Sequence, residues 1–346
     1  MPDRSPIVRI PAVSALIAQR SAALRPRSFE TALAALVLVL AGFTVLVVVN
    51  PALEPATLDV PLDVVVTTTA SLVTAAMTLL AWGRFRAGGE ASSLFRASAF
   101  AVLFALNGFV LATALLGVDS AFGASLDRPG QLPLLAAIVA RLAAAVLLIV
   151  AGATALRPRP APRNALFAMA LPGMAVLAAI IAGAAVQASL PELIGPQAMQ
   201  RLQAHPDRPL LGPDVSPWLF AGQLLVGIGF LTAAVLAYRV YRRDRLGVDA
   251  CLAIGLVLAA FSQVHSALHP GSYTGVVTTG DGLRVAFYGS LLVAVVVEGW
   301  TDVRELRAAH ATIRRLHEAE LVRATHEERA RLAREIHDGL AQDLWY

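Results

Sequence analysis

The sequence predicts an all-α membrane protein with eight transmembrane helices followed by a cytoplasmic dimerising coiled-coil helix. Three observations carry that prediction. Hydrophobic residues make up 57% of the chain and charged residues only 15%, where soluble domains carry about 25% charged. Eight apolar stretches approach the roughly 20 residues a helix needs to cross the hydrocarbon core. After Trp300 the chain turns charged and proline-free while keeping apolar residues at helical spacing.

Residues 1–28 form an arginine-bearing arm that precedes the first span. The spans are predicted at 29–49, 62–82, 94–117, 132–156, 165–188, 218–240, 248–268 and 283–300. Backbone polar groups have no partner in lipid except one another, so apolar runs of this length are helices, and the alternation of barrel strands is absent. The first run is too long for a cleaved signal peptide. Pro51, Leu53 and Glu54 follow it without a small-residue cleavage site, so it is expected to stay as an anchor.

Every basic residue apart from histidine is arginine, since the sequence contains no lysine. The arm holds Arg4, Arg9, Arg20, Arg25 and Arg27; the next loops on the same side hold Arg84, Arg86 and Arg96, then Arg157, Arg159 and Arg163, then Arg239, Arg242, Arg243 and Arg245. The opposite loops hold only Arg128, Arg201, Arg208 and Arg284, among acids such as Asp59, Asp127, Asp214 and Asp281. Fifteen arginines against four predict a multi-pass protein of the cell inner membrane with both termini cytoplasmic. Trp82, Trp218 and Trp300 stand at predicted span ends, where an amphipathic ring suits the headgroup layer. The longest outer loop, 189–217, is proline-rich and shows no strand pattern, too little for a folded ligand domain. Cys251 is the single cysteine and has no disulfide partner within one copy.

Past Trp300, Leu306, Ala309, Ile313 and Leu316 repeat at alternating three- and four-residue spacing, the narrow seam of a coiled coil. The seam weakens near Glu320 and Arg323 and resumes at Leu332, Ile336, Leu340 and Leu344. Such a phase change suits a stutter that passes a rotation or register shift along a signalling helix.

The run EERARLAREIHDGLAQDL at 327–344 resembles the phosphoacceptor box of the nitrate-sensor-type (NarX/DesK-like) histidine kinases, through Glu328, Arg329, Arg331, Leu332, Ala333, Arg334, Glu335, Ile336, His337, Asp338 and Gln342. The stretch AFSQVHSALHPGSYTGVVTTGDGLRVAFYGSLLVAVVVE more loosely resembles the multi-pass sensor regions of actinobacterial kinases. The resemblance implies an eight-span sensor domain at 29–300, a signalling coiled coil at 301–327, and at 328–346 the start of a dimerisation and phosphoacceptor domain. It implies His337 as phosphoacceptor, Asp338 as general base and Gln342 in phosphatase chemistry. It further implies a homodimer and a response regulator of the helix-turn-helix (LuxR/NarL-like) class, with the lipid bilayer as the other partner and no direct nucleic-acid contact. The chemistry fits the residues. A neutral imidazole exposed beside a dimer seam is a nucleophile at cytoplasmic pH, an adjacent carboxylate can take its proton, and Gln342 shares a helix face with Asp338. His310, His317 and His326 lack such surroundings and read as solvated polar residues.

Tyr346 follows His337 by nine residues, and no glycine-rich nucleotide loop occurs. ATP and Mg2+ are therefore expected at a kinase module outside these residues; the 346 residues alone are expected to hold no cofactor and to be inactive as an enzyme.

Within the spans, ionisable groups are costly enough to count as candidates for function. Arg141, near the middle of span four, needs a carboxylate, a carbonyl or a water-filled cavity. Gln263, His265 and His269 join it as candidate ligand-binding residues. His265 and His269 stand at i and i+4, but no third ligand is placed beside them, so a polar pair is preferred to a metal site and no metal is predicted. Asn107, Gln187, Gln223 and Gln263 itself read first as interhelical hydrogen-bonding residues. The competing readings are a polytopic transporter or membrane enzyme, against which no acidic relay or paired interrupted helices appear, and a non-enzymatic regulator acting through its coiled coil.

Overall fold

The computed structural model describes residues 26–50, 53, 57–58, 60–116, 131–157, 164–185, 193–194, 216–268 and 276–344. Residues 1–25 of the predicted N-terminal arm, Gln187, His269 and nearly all of the 189–217 loop lie outside them. The described residues are almost entirely helical: α1 Pro26–Val49, α2 Val60–Gly88, α3 Ala91–Leu116, α4 Gln131–Leu156, α5 Ala165–Ala185, α6 Pro217–Asp244, α7 Gly247–Leu268 and α8 Thr279–Leu344. Seven of the eight are long and apolar enough to cross a membrane; the described apolar stretch of α5, Ala165–Ala179, is shorter and contains Pro172.

Two boundaries differ from the sequence expectation. Helices α2 and α6 run past the predicted span ends at 82 and 240, because hydropathy marks where lipid stops and not where the helix stops. Arginines such as Arg84, Arg86, Arg242 and Arg243 are good helix formers. The last predicted span and the tail helix are one element, since no proline occurs between Thr279 and Leu344 to end it.

The chain divides into two compact units, Met1–Val295 and Val296–Tyr346. In the first, α2 packs on α3, α3 on α4, α4 on α6 and α6 on α7; α5 lies against α3 and α4, and α1 against α7. Small residues set these distances, as membrane helices require when hydrophobic transfer between helices contributes little. Ala140, Ala144 and Ala145 of α4 and Ala233, Ala234 and Ala237 of α6 are all buried. A side chain added at Gly152 would stand 2.7 Å from the Cβ of Leu236. Meanwhile Leu38, Val39, Leu72, Leu79, Leu166 and Ile181 face outward, an apolar exterior suited to lipid and a liability in water.

Tight turns join two of the pairs. Gly89, at φ 67°, ends α2 in the left-handed conformation that glycine adopts without strain, and its N–H bonds Phe85 O at 2.7 Å. Arg245 does the same after α6, at φ 58°, with its N–H on Tyr241 O. At the other end of α6, Ser216 caps the helix by accepting from Trp218 N–H at 3.3 Å, and Pro217 occupies the position where a missing N–H costs nothing.

A feature absent from the sequence prediction is a two-strand antiparallel ladder. Thr57–Leu58 (β1) pairs with Val276–Val277 (β2), Thr57 opposite Val277 and Leu58 opposite Val276. From the loop read as strandless, Leu193 and Ile194 are buried in the core cluster.

In the second unit, the described residues of α8 from Thr301 to His337 are exposed wherever a side chain is described. Pairs at helical spacing line the surface: Arg323 with Glu327 at 2.8 Å, and Arg331 with both Glu328 at 3.2 Å and Glu335 at 3.5 Å. Leu306, Ile313, Leu316, Leu332 and Ile336 are exposed beside them.

Candidate functional site

Helix α7 carries a run of buried polar residues, Ser262, Gln263, His265 and Ser266. Successive helical residues are turned by about 100°, so these side chains fan out to different neighbours. Gln263 points to α4, where its Oε1 accepts from Arg141 Nη1 at 3.4 Å. Ser262 Oγ donates to Gly280 O at the start of α8, at 2.7 Å. His265 points to α1; its Nε2 lies 3.1 Å from Thr44 Oγ1, and its ring stacks on Phe43 with centroids 5.7 Å apart.

The start of α8 completes the polar region. Asp281 Oδ2 accepts from Thr278 N–H at 3.0 Å and from Thr278 Oγ1 at 3.1 Å, a carboxylate reaching back from the first turn to satisfy the helix N-terminus. Asp281 Oδ1 pairs with Arg284 Nη2 at 3.2 Å. One turn further, Tyr288 Oη accepts from Asn107 Nδ2 of α3 at 3.1 Å. Phe287 packs on Tyr288 and Phe230 with centroids 4.9 and 6.4 Å apart. Together Arg141, Gln263, Arg284, Tyr288, Phe230 and Leu103 line a cavity of about 20 Å³ open to the centre of a water-sized sphere, room for about one water.

A larger cavity, about 490 Å³, lies among the ends of α2, α4 and α6 and the starts of α3 and α7. Four of the charged residues that line it form ion pairs. Arg96 meets the buried Asp249 at 2.7 Å, and Arg243 meets Asp244 at 2.7 Å while donating to Leu156 O at 3.2 Å.

Of the residues predicted to bind a ligand, Arg141 and Gln263 come together, while His265 is turned to another helix and His269 lies outside the described residues. Asn107, predicted as interhelical glue, bonds Tyr288. Gln223 is buried with neither amide atom hydrogen-bonded, on the turn before Gly227, which abuts Ala260 and Gln263 of α7. In the tail, His337 is exposed on α8; Asp338 and Gln342 fall on the same helix, with side chains outside the description.

Sequence reasoning missed Arg96–Asp249 and Asp281–Arg284. It counted Arg96, Asp281 and Arg284 only as loop charges. The i, i+3 spacing of Asp281 and Arg284 was the available signal, whereas the Arg96–Asp249 pair joins distant helices and left none.

Comparison of the chain with family models, curated proteins and solved structures returned no match.

Proposed function

We propose that the chain is the sensor and phosphoacceptor portion of a two-component histidine kinase of the inner membrane, relaying a membrane or extracytoplasmic stimulus to phosphorylation at His337. The observation that carries this reading is an exposed His337 within the kinase-like box of α8, on a helix whose apolar seam from Leu306 to Leu340 is uncovered within one copy. A second copy of α8 buries that seam as a parallel coiled coil and leaves His337 on its flank. The imidazole attacks the terminal phosphorus of ATP held by a kinase module, ADP departs, and Asp338 takes the ring proton. Gln342 orients the water that later removes phosphate from the response regulator.

The reading includes eight crossings, with α5 as the fifth, and the contacts of the bundle support that count. The β1–β2 ladder puts the connections after α1 and after α7 on one side. The Arg96–Asp249 pair does the same for the starts of α3 and α7, and Arg243 on Leu156 O for the ends of α4 and α6. Each juxtaposition fits an even number of crossings between the joined points. Leaving α5 out of the membrane makes all three odd. At 21 residues and 1.5 Å per residue, α5 is about 31 Å long, enough to span. Reporter fusions at Arg159 and Asp207 test this directly: a cytoplasmic signal at both removes the eighth span.

The decisive experiment supplies an ATP-binding kinase module, in cis or in trans, and measures acid-labile phosphate on the protein. His337→Gln is expected to abolish the label, because glutamine keeps polarity and helix compatibility without a nucleophilic ring nitrogen. Asp338→Asn should slow labelling by about 10² to 10⁴. Gln342→Ala should spare labelling and impair dephosphorylation of the regulator. Full labelling of the His337→Gln protein overturns the assignment.

A further inference from the structure

The two arginines of the small cavity are not in the same electrostatic condition. Arg284 has Asp281 at 3.2 Å. Arg141 has only the neutral amide oxygen of Gln263, at 3.4 Å; among the described residues no carboxylate lies within ion-pairing distance of it. A guanidinium carries five N–H donors, so one long hydrogen bond leaves most of them unused. Arg141 is half-buried within the bundle, where a charge is stabilised by a partner of opposite sign. Gln263, having given its oxygen to Arg141, keeps its amide N–H₂ for another acceptor. The cavity thus offers donors and a positive charge, the complement of a small anion.

We propose that this cavity binds one compact monovalent anion, a halide or a small carboxylate, held by the Arg141 guanidinium and the Gln263 amide. Size selects the ligand class. About 20 Å³ accommodates a guest near the size of one water and excludes nucleotides, sugars and phospholipid headgroups. Position selects the side from which it arrives. Arg141 lies seven residues from Leu134 and Arg284 five from Thr279, about 10 and 8 Å along their helices. The start of α4, the end of α7 and the start of α8 share one end of the topology, extracytoplasmic in the sidedness proposed above. Binding itself stands independently of phosphorylation at His337, because it is measured without a kinase module.

The test uses the full chain in nanodiscs of zwitterionic lipid, with sodium gluconate exchanged for sodium chloride or sodium formate at constant ionic strength and the thermal unfolding midpoint as readout. Chloride, formate or both should raise the midpoint saturably while gluconate, too large for the cavity, does not; which of the two acts identifies halide or carboxylate as the source. Arg141→Gln should weaken the response by at least about 10-fold, the worth of a charge-assisted hydrogen bond, and Arg141→Lys should weaken it less. Gln263→Glu supplies a tethered carboxylate to Arg141, so this variant is expected to fold at least as stably in gluconate and to lose the anion response altogether. A midpoint that is the same in all three salts, or a Gln263→Glu protein that titrates like the wild type, overturns the proposal.

Discussion

The bundle up to Val295 and the tail beyond it invert each other's rules. In the bundle, polar groups are the buried minority: Asp249 is 1% exposed, Gln263 4% and Asp281 4%, and each has a named partner on the protein. In the tail, the apolar side chains stand out, with Leu306 60%, Ile313 62% and Ile336 61% exposed, while charged residues pair along the helix surface. A buried charge costs several kcal/mol when its partner is removed, whereas a surface ion pair contributes about 0–1 kcal/mol. The sensitive positions of the bundle are therefore its few charges, and those of the tail are its leucines and isoleucines.

The largest expected effect tests the first half of that contrast. Asp249→Asn leaves the half-buried Arg96 without a counter-charge and should cost up to about 3 kcal/mol, seen as loss of monodisperse protein on size-exclusion chromatography. Replacing Arg96 with Gln in the same chain should recover part of the loss. If the single variant is as stable as the wild type, the buried pair is not what joins α3 to α7.

An intermediate effect is expected in the tail. With Cys251 replaced by Ser, cysteines at 306 or 313 should crosslink between copies in membranes, because the exposed seam needs a second helix to cover it. Absence of crosslinking at both positions would remove the parallel coiled coil and bring the tail back to a solvated single helix. The smallest effect completes the series. Arg323→Gln removes the 2.8 Å pair with Glu327 and should shift the unfolding midpoint by less than the equivalent of about 0.5 kcal/mol.

What the sequence made legible follows the same division. The apolar runs at 29–49 and 248–268 match α1 and α7 within a few residues, because a helix in lipid has to announce itself by composition. Arg141 and Gln263 were readable as costly intramembrane groups, but not as each other's neighbours. Their meeting depends on how α4 and α7 are rotated, and the small residues that set rotation look alike in sequence. His265 illustrates the opposite limit. Its i, i+4 relation to His269 suggested a common site, yet the helix turns it to Thr44 and Phe43 of α1. The ladder of β1 and β2 left no trace because two residues are too few for an alternating pattern to emerge.

That ladder has a consequence for the order of assembly. Thr57 and Val277 are separated by six helices of chain, so the pairing closes a very long loop, and two-residue ladders are marginal on their own. Loop-closure entropy has to be met first by the helices between them. During synthesis β1 is made early, and β2 follows only after the six helices α2 to α7. The clasp is thus a mark of completion. A cysteine pair placed at 57 and 277 should oxidise late in a pulse-chase, after α2 to α7 have assembled, and early oxidation would show that the two connections meet before the bundle between them is built.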